Sequence, residues 1–527
     1  MIINRTDPTA TVAAAFSETA ARCPGGPFLH VEQQTARAYD IPPGAITYSE
    51  AASQIARLRA AYAAAGYGPG HRVGLMLDNR PTFFFHWLAL NALGTAVVPL
   101  NADLRPAELD YLVHHSDIVL GIAAAPHLRS LHTASPDLAT IAADASPPPA
   151  PHPARAHPPD RTTECALLYT SGTTGRPKGC VLSNHYYLSA GHWYATIGGL
   201  CELHQGERLI TPLPLTHMNA MAYSTMAMIA TGGCIAQLDR FHPRTWWNSV
   251  RETQATIVHY LGVMPSMLLS ATPDPKDRDH AVRFGFGAGV DRRHHAAFEQ
   301  RFGFPLLEAW AMTETGAGAV VIANRAPRHI GTNCFGRPEP AVEVRIVSQD
   351  DELLVRAAGP DPRAGFFSEY LKDPQATEAA WEGGWFHTGD IVRADADGYL
   401  TFVDRKKNVI RRSGENISAV EVESVLRRHP AVVEVAVAAV ADDIRGEEVL
   451  ACIVPSTPVI DPTEAAIEII RMALQDLSYF KVPGWVAFVD TLPLTASQKV
   501  ARGELKTMAQ RLVQGPDCID TRGLKRR

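Results

Sequence analysis

From Tyr48 onward the chain alternates amphipathic helix with short apolar strand, and no other feature narrows its fold as far. The text TYSEAASQIARLRAAYAAAGYGPGHRVGLML, which begins at Thr47, reads as a helix, a Gly/Pro turn over Gly66 to Gly70, and an apolar strand from Arg72 to Leu77. A second helix over Pro81 to Leu93 and a second strand over Gly94 to Leu100 follow. Strands separated by helices must pair in parallel, so the spacing predicts a doubly wound α/β sheet. A length of 527 residues with 46% hydrophobic and 20% charged residues leaves ample core for a large domain of this kind.

Two boundaries stand out. Residues Ala145 to Asp160, ASPPPAPHPARAHPPD, predict an extended surface connection rather than a ligand for a proline-binding module. Near Asp404 short strands with a turn at Asp397-Gly398 give way to the charge run DRKKNVIRRSG. Beyond it ISAVEVESVLRRHP has helical spacing, AVVEVAVAAVA reads as a strand, and Glu464 to Leu477 is helical again, which predicts a compact α+β unit. The expected organisation is a large N-terminal multi-sheet α/β domain over 1–404 and a small, mobile α+β domain over 405–527. No internal repeat of solenoid or propeller period occurs.

Charge and cysteine content exclude several classes. A net charge of -6 is no counterion-releasing surface, so nucleic acid is not an expected partner. The eight cysteines include no CxxC pair, and the 21 histidines show no zinc spacing; His294 and His295 are expected to be solvated. The start MIINRTDPTATVAAAF lacks the pattern of a secretory signal, and Met221 to Ala236 is too short and polar to span a bilayer, so a cytoplasmic protein without integral membrane association is expected.

The chemistry concentrates first in ALLYTSGTTGRPKGCVLSN, Ala166 to Asn184. An apolar strand feeds a loop of Thr170, Ser171, Gly172, Thr173, Thr174 and Gly175 that ends at Lys178. Glycines let backbone N–H groups close on an anion, hydroxyls add donors and the lysine adds charge, so the loop suits phosphate. It is not a Walker loop, because Lys178 follows Pro177 and precedes Gly179. The bland alternative for this stretch alone is a flexible turn.

YTSGTTGRPKG resembles the phosphate-loop signature of adenylate-forming enzymes, the superfamily of acyl-CoA synthetases, nonribosomal peptide adenylation domains and beetle luciferases. EAWAMTETG at Glu308 to Gly316, GWFHTGD at Gly384 to Asp390, DRKKNVIRRSGENI at Asp404 to Ile417 and LPLTASQKVARGEL at Leu492 to Leu505 match further signatures in the same order. The resemblance implies ATP, Mg²⁺ and coenzyme A as cofactors and co-substrates. Glu308, Ala309, Trp310, Ala311 and Met312 would line the nucleotide, with Trp310 stacked on adenine and Gly287, Ala288 and Gly289 on the purine's other side. Thr313 would meet the α-phosphate and Glu314 would ligate Mg²⁺, although a Thr-Glu pair alone is more often a helix cap. Asp390 would take the ribose hydroxyls, with Arg405 as a second ribose contact.

The same resemblance makes Lys499 the catalytic lysine, set against negative charge developing at the α-phosphate, although Gln498 stands where many relatives have glycine. Lys407 would be the hinge between two domain arrangements, with Lys406 next in line, and Gly414 would pass close to the pantetheine thiol. His217 in PLPLTHMNAM would sit beside the acyl carboxylate, the alternative being a core histidine. Ala311 matches a position that holds a bulky indole in acetate-using relatives, so the pocket is expected to admit a medium-sized, branched or cyclic acid, with Asn219 and His217 as candidate polar contacts to it. The implied activity is an ATP-dependent carboxylate–CoA ligase forming an acyl-AMP intermediate. Loading of a carrier protein or another nucleophile is the alternative acceptor, and a homodimer the candidate assembly. A nicotinamide dehydrogenase is a remote alternative, because Gly285, Gly287 and Gly289 do not make GxGxxG.

Overall fold

The computed structural model describes residues 7–170, 177–347, 351–405, 410–417, 419–493, 500 and 502–525. The chain divides into two compact units, one of residues 1–102, 113–168 and 179–403, the other of residues 103–112, 169–178 and 404–527.

The first unit is built on two mainly parallel sheets. Among the described residues the strand order of one is Glu369–Tyr370, Lys178–Ser183, Glu164–Thr170, Ala96–Pro99, Arg72–Met76, Ile118–Ala123, Thr140–Ala142. The other runs Val321–Ile322, Leu306–Trp310, Phe284–Ala288, Ile257–Leu261, Arg208–Thr211, Cys234–Gln237, Pro27–Val31, Gly44–Thr47. A smaller antiparallel sheet adds Cys334–Gly336, Leu400–Arg405, Phe386–Ala394, Glu352–Ala357 and Val342–Ile346. The doubly wound α/β fold anticipated from the alternating pattern is present.

Local chemistry explains the elements. The helix Tyr48–Ala64 opens on a capping box in which the Thr47 side chain accepts from the Glu50 amide at 3.1 Å and Glu50 accepts from the Thr47 amide at 2.8 Å. Tyr48, Ala51, Ile55, Leu58 and Tyr62 make its buried stripe, and the chain turns at Gly66 with φ +86°. The helix Pro81–Asn91 starts on proline and is buried from Phe83 to Asn91, because it lies inside the core. The proline-rich segment forms no helix or strand, as expected, but it is fastened to that first turn: Ala150 N–H donates to Ala65 O at 2.7 Å and Arg155 N–H to Pro69 O at 2.9 Å.

One amide joins the carboxyl ends of strands from both large sheets. Buried Asn79, just beyond Arg72–Met76, donates to Leu238 O at 2.7 Å and Leu213 O at 3.3 Å and accepts from Leu215 N–H at 3.0 Å. Leu213 and Leu215 belong to the loop that delivers His217.

The second unit has a mixed sheet in which Val432–Asp442 and Gly446–Pro455 form a long hairpin, with Trp485–Phe488 added in parallel, and helices Ala419–Leu426, Pro462–Asp476 and Arg502–Leu512. Within it Arg412 and Lys525 both bind the fully buried Glu448, at 2.8 and 2.7 Å. All eight cysteines are free thiols, six of them buried, with Cys23 and Cys518 partly exposed. Among the described residues no helix is long and apolar enough to cross a membrane.

Asn79→Ala strips two carbonyls and one amide of their partner in a buried setting, at about 1–3 kcal/mol for each group left unsatisfied. A loss of about 3 kcal/mol, read from the urea denaturation midpoint, is expected.

Candidate active site

Three neighbouring parallel strands, Ile257–Leu261, Phe284–Ala288 and Leu306–Trp310, pair with Tyr260 opposite Gly287 and Gly287 opposite Glu308. Their carboxyl ends are where open α/β sheets bind ligands. Glu308 is 6% exposed and has three donors on its carboxylate: Gly289 N–H at 2.9 Å, Val290 N–H at 3.1 Å and the Tyr260 hydroxyl at 3.1 Å. Burial raises its pKa, and the Val290 and Gly289 amides offset only part of that rise. Glu308 therefore fixes the loop, and Ala288 and Gly289 lie exposed at the strand end. Gly289 has φ +79°, and its carbonyl lies where a Cβ on Gly262 would fall, so both positions require glycine.

Trp310 and Asp390 come together across eighty residues of chain. The indole N–H donates to Asp390 Oδ2 at 2.9 Å, and the ring stacks on Phe335 with centroids 6.0 Å apart. Asp390 is 1% exposed; its amide donates to Thr388 Oγ1 at 3.0 Å, and Thr388 in turn donates to Leu353 O at 2.6 Å. Gly389, with φ +67°, donates to Glu352 at 3.0 Å. These bonds set the carboxylate before any ligand arrives.

The turn from Met312 to Gly316 carries Thr313 and Glu314 and is pinned by tyrosines. Tyr186 donates to Thr313 O at 2.9 Å, Tyr223 to Gly316 O at 3.0 Å, and Tyr370 to Glu314 Oε1 at 2.9 Å. Met312 N–H donates to Thr315 Oγ1 at 3.0 Å, closing the turn from within. Burial, and then the Glu314 charge, raise the Tyr370 pKa, so the hydroxyl stays a donor to the carboxylate. Glu314 is a buried hard-oxygen ligand of the kind Mg²⁺ takes. Ala309, Ala311 and Met312 are partly buried beside it.

His217 is half-buried, with its amide donating to Pro214 O at 3.0 Å, just ahead of a π-helical stretch, Asn219–Thr225. Behind that stretch lies His259, which the sequence reading passed over. It is fully buried and is bonded to Tyr194, Ser224 and Asn219. No local pattern marks it, since its partners are 35 to 65 residues away.

In the second unit Thr170 ends the strand Glu164–Thr170 and Lys178 begins Lys178–Ser183. Gly414, with φ +90°, follows Ser413 at φ +49° in a tight turn between paired Arg412 and Glu415, so the turn itself demands a glycine. Arg405 closes the strand Leu400–Arg405. Ser171, Gly172, Thr173, Thr174, Gly175, Lys406, Lys407 and Lys499 lie outside the described residues. One expectation is corrected: His295 is not solvated but 5% exposed, its Nε2 3.1 Å from both Glu299 Oε1 and Leu306 O, while His294 meets Ser266 Oγ at 2.7 Å. Among the described residues no three His, Cys, Asp or Glu side chains gather as a metal cluster.

Residues 17–360 match the family model described as AMP-binding enzyme, and residues 421–499 that of the AMP-binding enzyme C-terminal domain. The crotonobetaine/carnitine–CoA ligase of Salmonella arizonae is 29% identical over 522 residues, covering 90% of this chain and 96% of the relative. That of Escherichia coli O8 is 30% identical, covering 87% and 93%. Among solved structures, a malonyl-CoA ligase with methylmalonyl-CoA and AMP bound superposes with a TM-score of 0.74 at 27% identity, covering 93% of this chain and all of the other (100%).

Glu308→Gln replaces one acceptor oxygen by a second donor, which faces a buried N–H or O–H. A loss of about 1–3 kcal/mol in denaturant-induced unfolding is expected, and Glu308→Asp, which keeps the charge, should recover part of it.

Proposed function

The chain belongs to the AMP-binding enzyme family and is an AMP-forming carboxylate–CoA ligase, and from that premise we propose that it activates a medium-sized, branched or cyclic organic acid on the residues assembled above. The observation that carries this reading is the linked set Glu308, Trp310 and Asp390, in which Glu308 holds the 289–290 segment and the Trp310 indole holds the Asp390 carboxylate.

On this reading Asp390 accepts the ribose hydroxyls, Arg405 adds a second ribose contact, and the 287–289 loop lies along the purine. The loop from Thr170 to Lys178 cradles the phosphates with backbone and hydroxyl donors. Thr313 donates to the α-phosphate, and His217 lies beside the acid's carboxylate, which attacks that phosphorus and expels pyrophosphate. Lys499 supplies the cation for charge that builds on the α-phosphate in the transition state. Glu314, with Tyr370 holding one oxygen, is the residue that would hold Mg²⁺. When bound, the ion would neutralise charge on ATP oxygens. In the second half-reaction the CoA thiol attacks the acyl carbonyl and AMP leaves, with Lys407 as the hinge and Gly414 beside the pantetheine.

Acid size rests on Ala311. Its side chain is partly buried, and on this reading a single methyl leaves open an acyl space that an indole would fill. The test is pyrophosphate release with and without CoA across straight-chain, branched, aryl and cyclic acids, with carnitine, malonate and o-succinylbenzoate included. CoA-dependent product from a medium-sized acid supports the reading, and release from acetate alone overturns it.

Lys499→Ala should lower adenylate formation by about 10²- to 10³-fold, while thioester formation from supplied acyl-AMP falls far less. Parallel single-turnover assays of the two half-reactions decide it. Ala311→Trp should shift the kcat/KM profile toward shorter acids, at about 1–3 kcal/mol per methylene excluded. An unchanged length profile would remove Ala311 from the pocket floor.

A further inference from the structure

Behind the π-helical stretch that follows His217 is a buried polar chain that the reaction as described does not use. His259 sits on the strand Ile257–Leu261, in register with Phe286 and two residues short of the strand end. It is 0% exposed. Its Nε2 lies 3.0 Å from the Tyr194 hydroxyl, and its Nδ1 lies 2.9 Å from Asn219 Oδ1 and 2.8 Å from Ser224 Oγ. Tyr194 stacks on the imidazole with centroids 5.6 Å apart, and Phe286 packs against it at 4.8 Å.

This enclosure decides the proton positions. Burial pushes the His259 pKa down to about 3, so the ring is neutral and carries a single N–H. With the Asn219 carbonyl oxygen toward the ring, where Ser224 Oγ also donates to it at 3.5 Å, the N–H is on Nδ1 and donates to Asn219 Oδ1. Nε2 then accepts from Tyr194. Asn219 is thereby held with its carbonyl toward the core and its NH₂ group facing away from the buried ring. Asn219 itself is only half-buried, two residues after His217, and opens a π-helical stretch, a distortion that recurs at functional sites.

We propose that Asn219 Nδ2 donates a hydrogen bond to an uncharged oxygen on the acyl group remote from its carboxylate, so that the substrate is a hydroxy-, oxo- or ether-bearing acid rather than a plain hydrocarbon one. This inference rests on the acyl-site reading given above. Tyr194, His259, Ser224 and Asn219 are all uncharged, which matches a neutral oxygen and gives no counter-ion to a cationic or anionic tail. His259 is a positioning residue: it touches no substrate and acts by fixing which end of the amide faces out.

The experiment compares kcat/KM for pyrophosphate release between acids of equal length that differ in one oxygen, for example hexanoate against 5-oxohexanoate and 5-hydroxyhexanoate, with the oxygen moved along the chain. One oxygenated acid should exceed its hydrocarbon partner by about a hundredfold, because a donor built for an oxygen is left unpaired by the analogue lacking it. Asn219→Asp and Asn219→Leu should bring that ratio to near one. His259→Phe should raise KM for the oxygenated acid more than it lowers kcat, and His259→Gln, which restores an N–H toward Asn219, should recover part of the preference. Equal use of paired acids by the parent, or a preference retained in Asn219→Leu, overturns the inference while leaving the ligase reading intact. Silence toward every acid overturns both.

Discussion

A carboxyl group buried within a strand is costly, and the geometry around Glu308 follows from how that cost is met. Moving a polar group out of water is unfavourable, the more so if it is charged, and only close, well-directed donors offset that. Two of the three donors are backbone amides of the 289–290 segment, so the carboxylate is solvated only if that segment takes one path. The path in turn needs a positive φ at Gly289 and no side chain on Gly262. Residues on the same strand end, Trp310 above all, inherit their places from it, and Trp310 carries the constraint on to Asp390.

The site thus has two electrostatic characters. Where the nucleotide is expected, carboxylates dominate: Glu308, Glu314 and Asp390 are each buried and each bonded to a donor before any ligand is present. Where the remote end of the acid is expected, Tyr194, Ser224 and Asn219 are uncharged, and His259 is kept neutral by its burial. Fixed charges reward a polyanion only through ions and donors placed between them, whereas a neutral amide selects by the direction of a single hydrogen bond. Catalysis and substrate choice can accordingly be altered at separate residues.

Much of this was legible in the chain because its information is local. The helix over residues 48–64 announces itself by a cap and a stripe, the parallel sheets by alternation, and the glycine-rich loop and TET turn by contiguous residues. Asn79, Tyr186, Tyr223, Tyr370 and His259 were not legible, since each acts on a partner between 35 and 160 residues away and none has a distinctive neighbour in sequence. His295 shows the same limit from the other side. On a polar helix, beside another histidine, it reads as solvated, whereas the Leu306 carbonyl from the next strand and the Gly331 amide, both distant in sequence, close over its ring.

The distribution of thiols gives this molecule an unplanned experimental handle. Six of the eight sulfurs are sealed in the interior, and the two that solvent reaches fall one in each unit, Cys23 in the first and Cys518 in the second. Burial pushes the Cys518 thiol up to about 11, so little of it is nucleophilic at neutral pH. A maleimide dye should therefore label the second unit slowly until the buffer is made alkaline, so that the rate at Cys518 reports on that unit without removal of a single native cysteine.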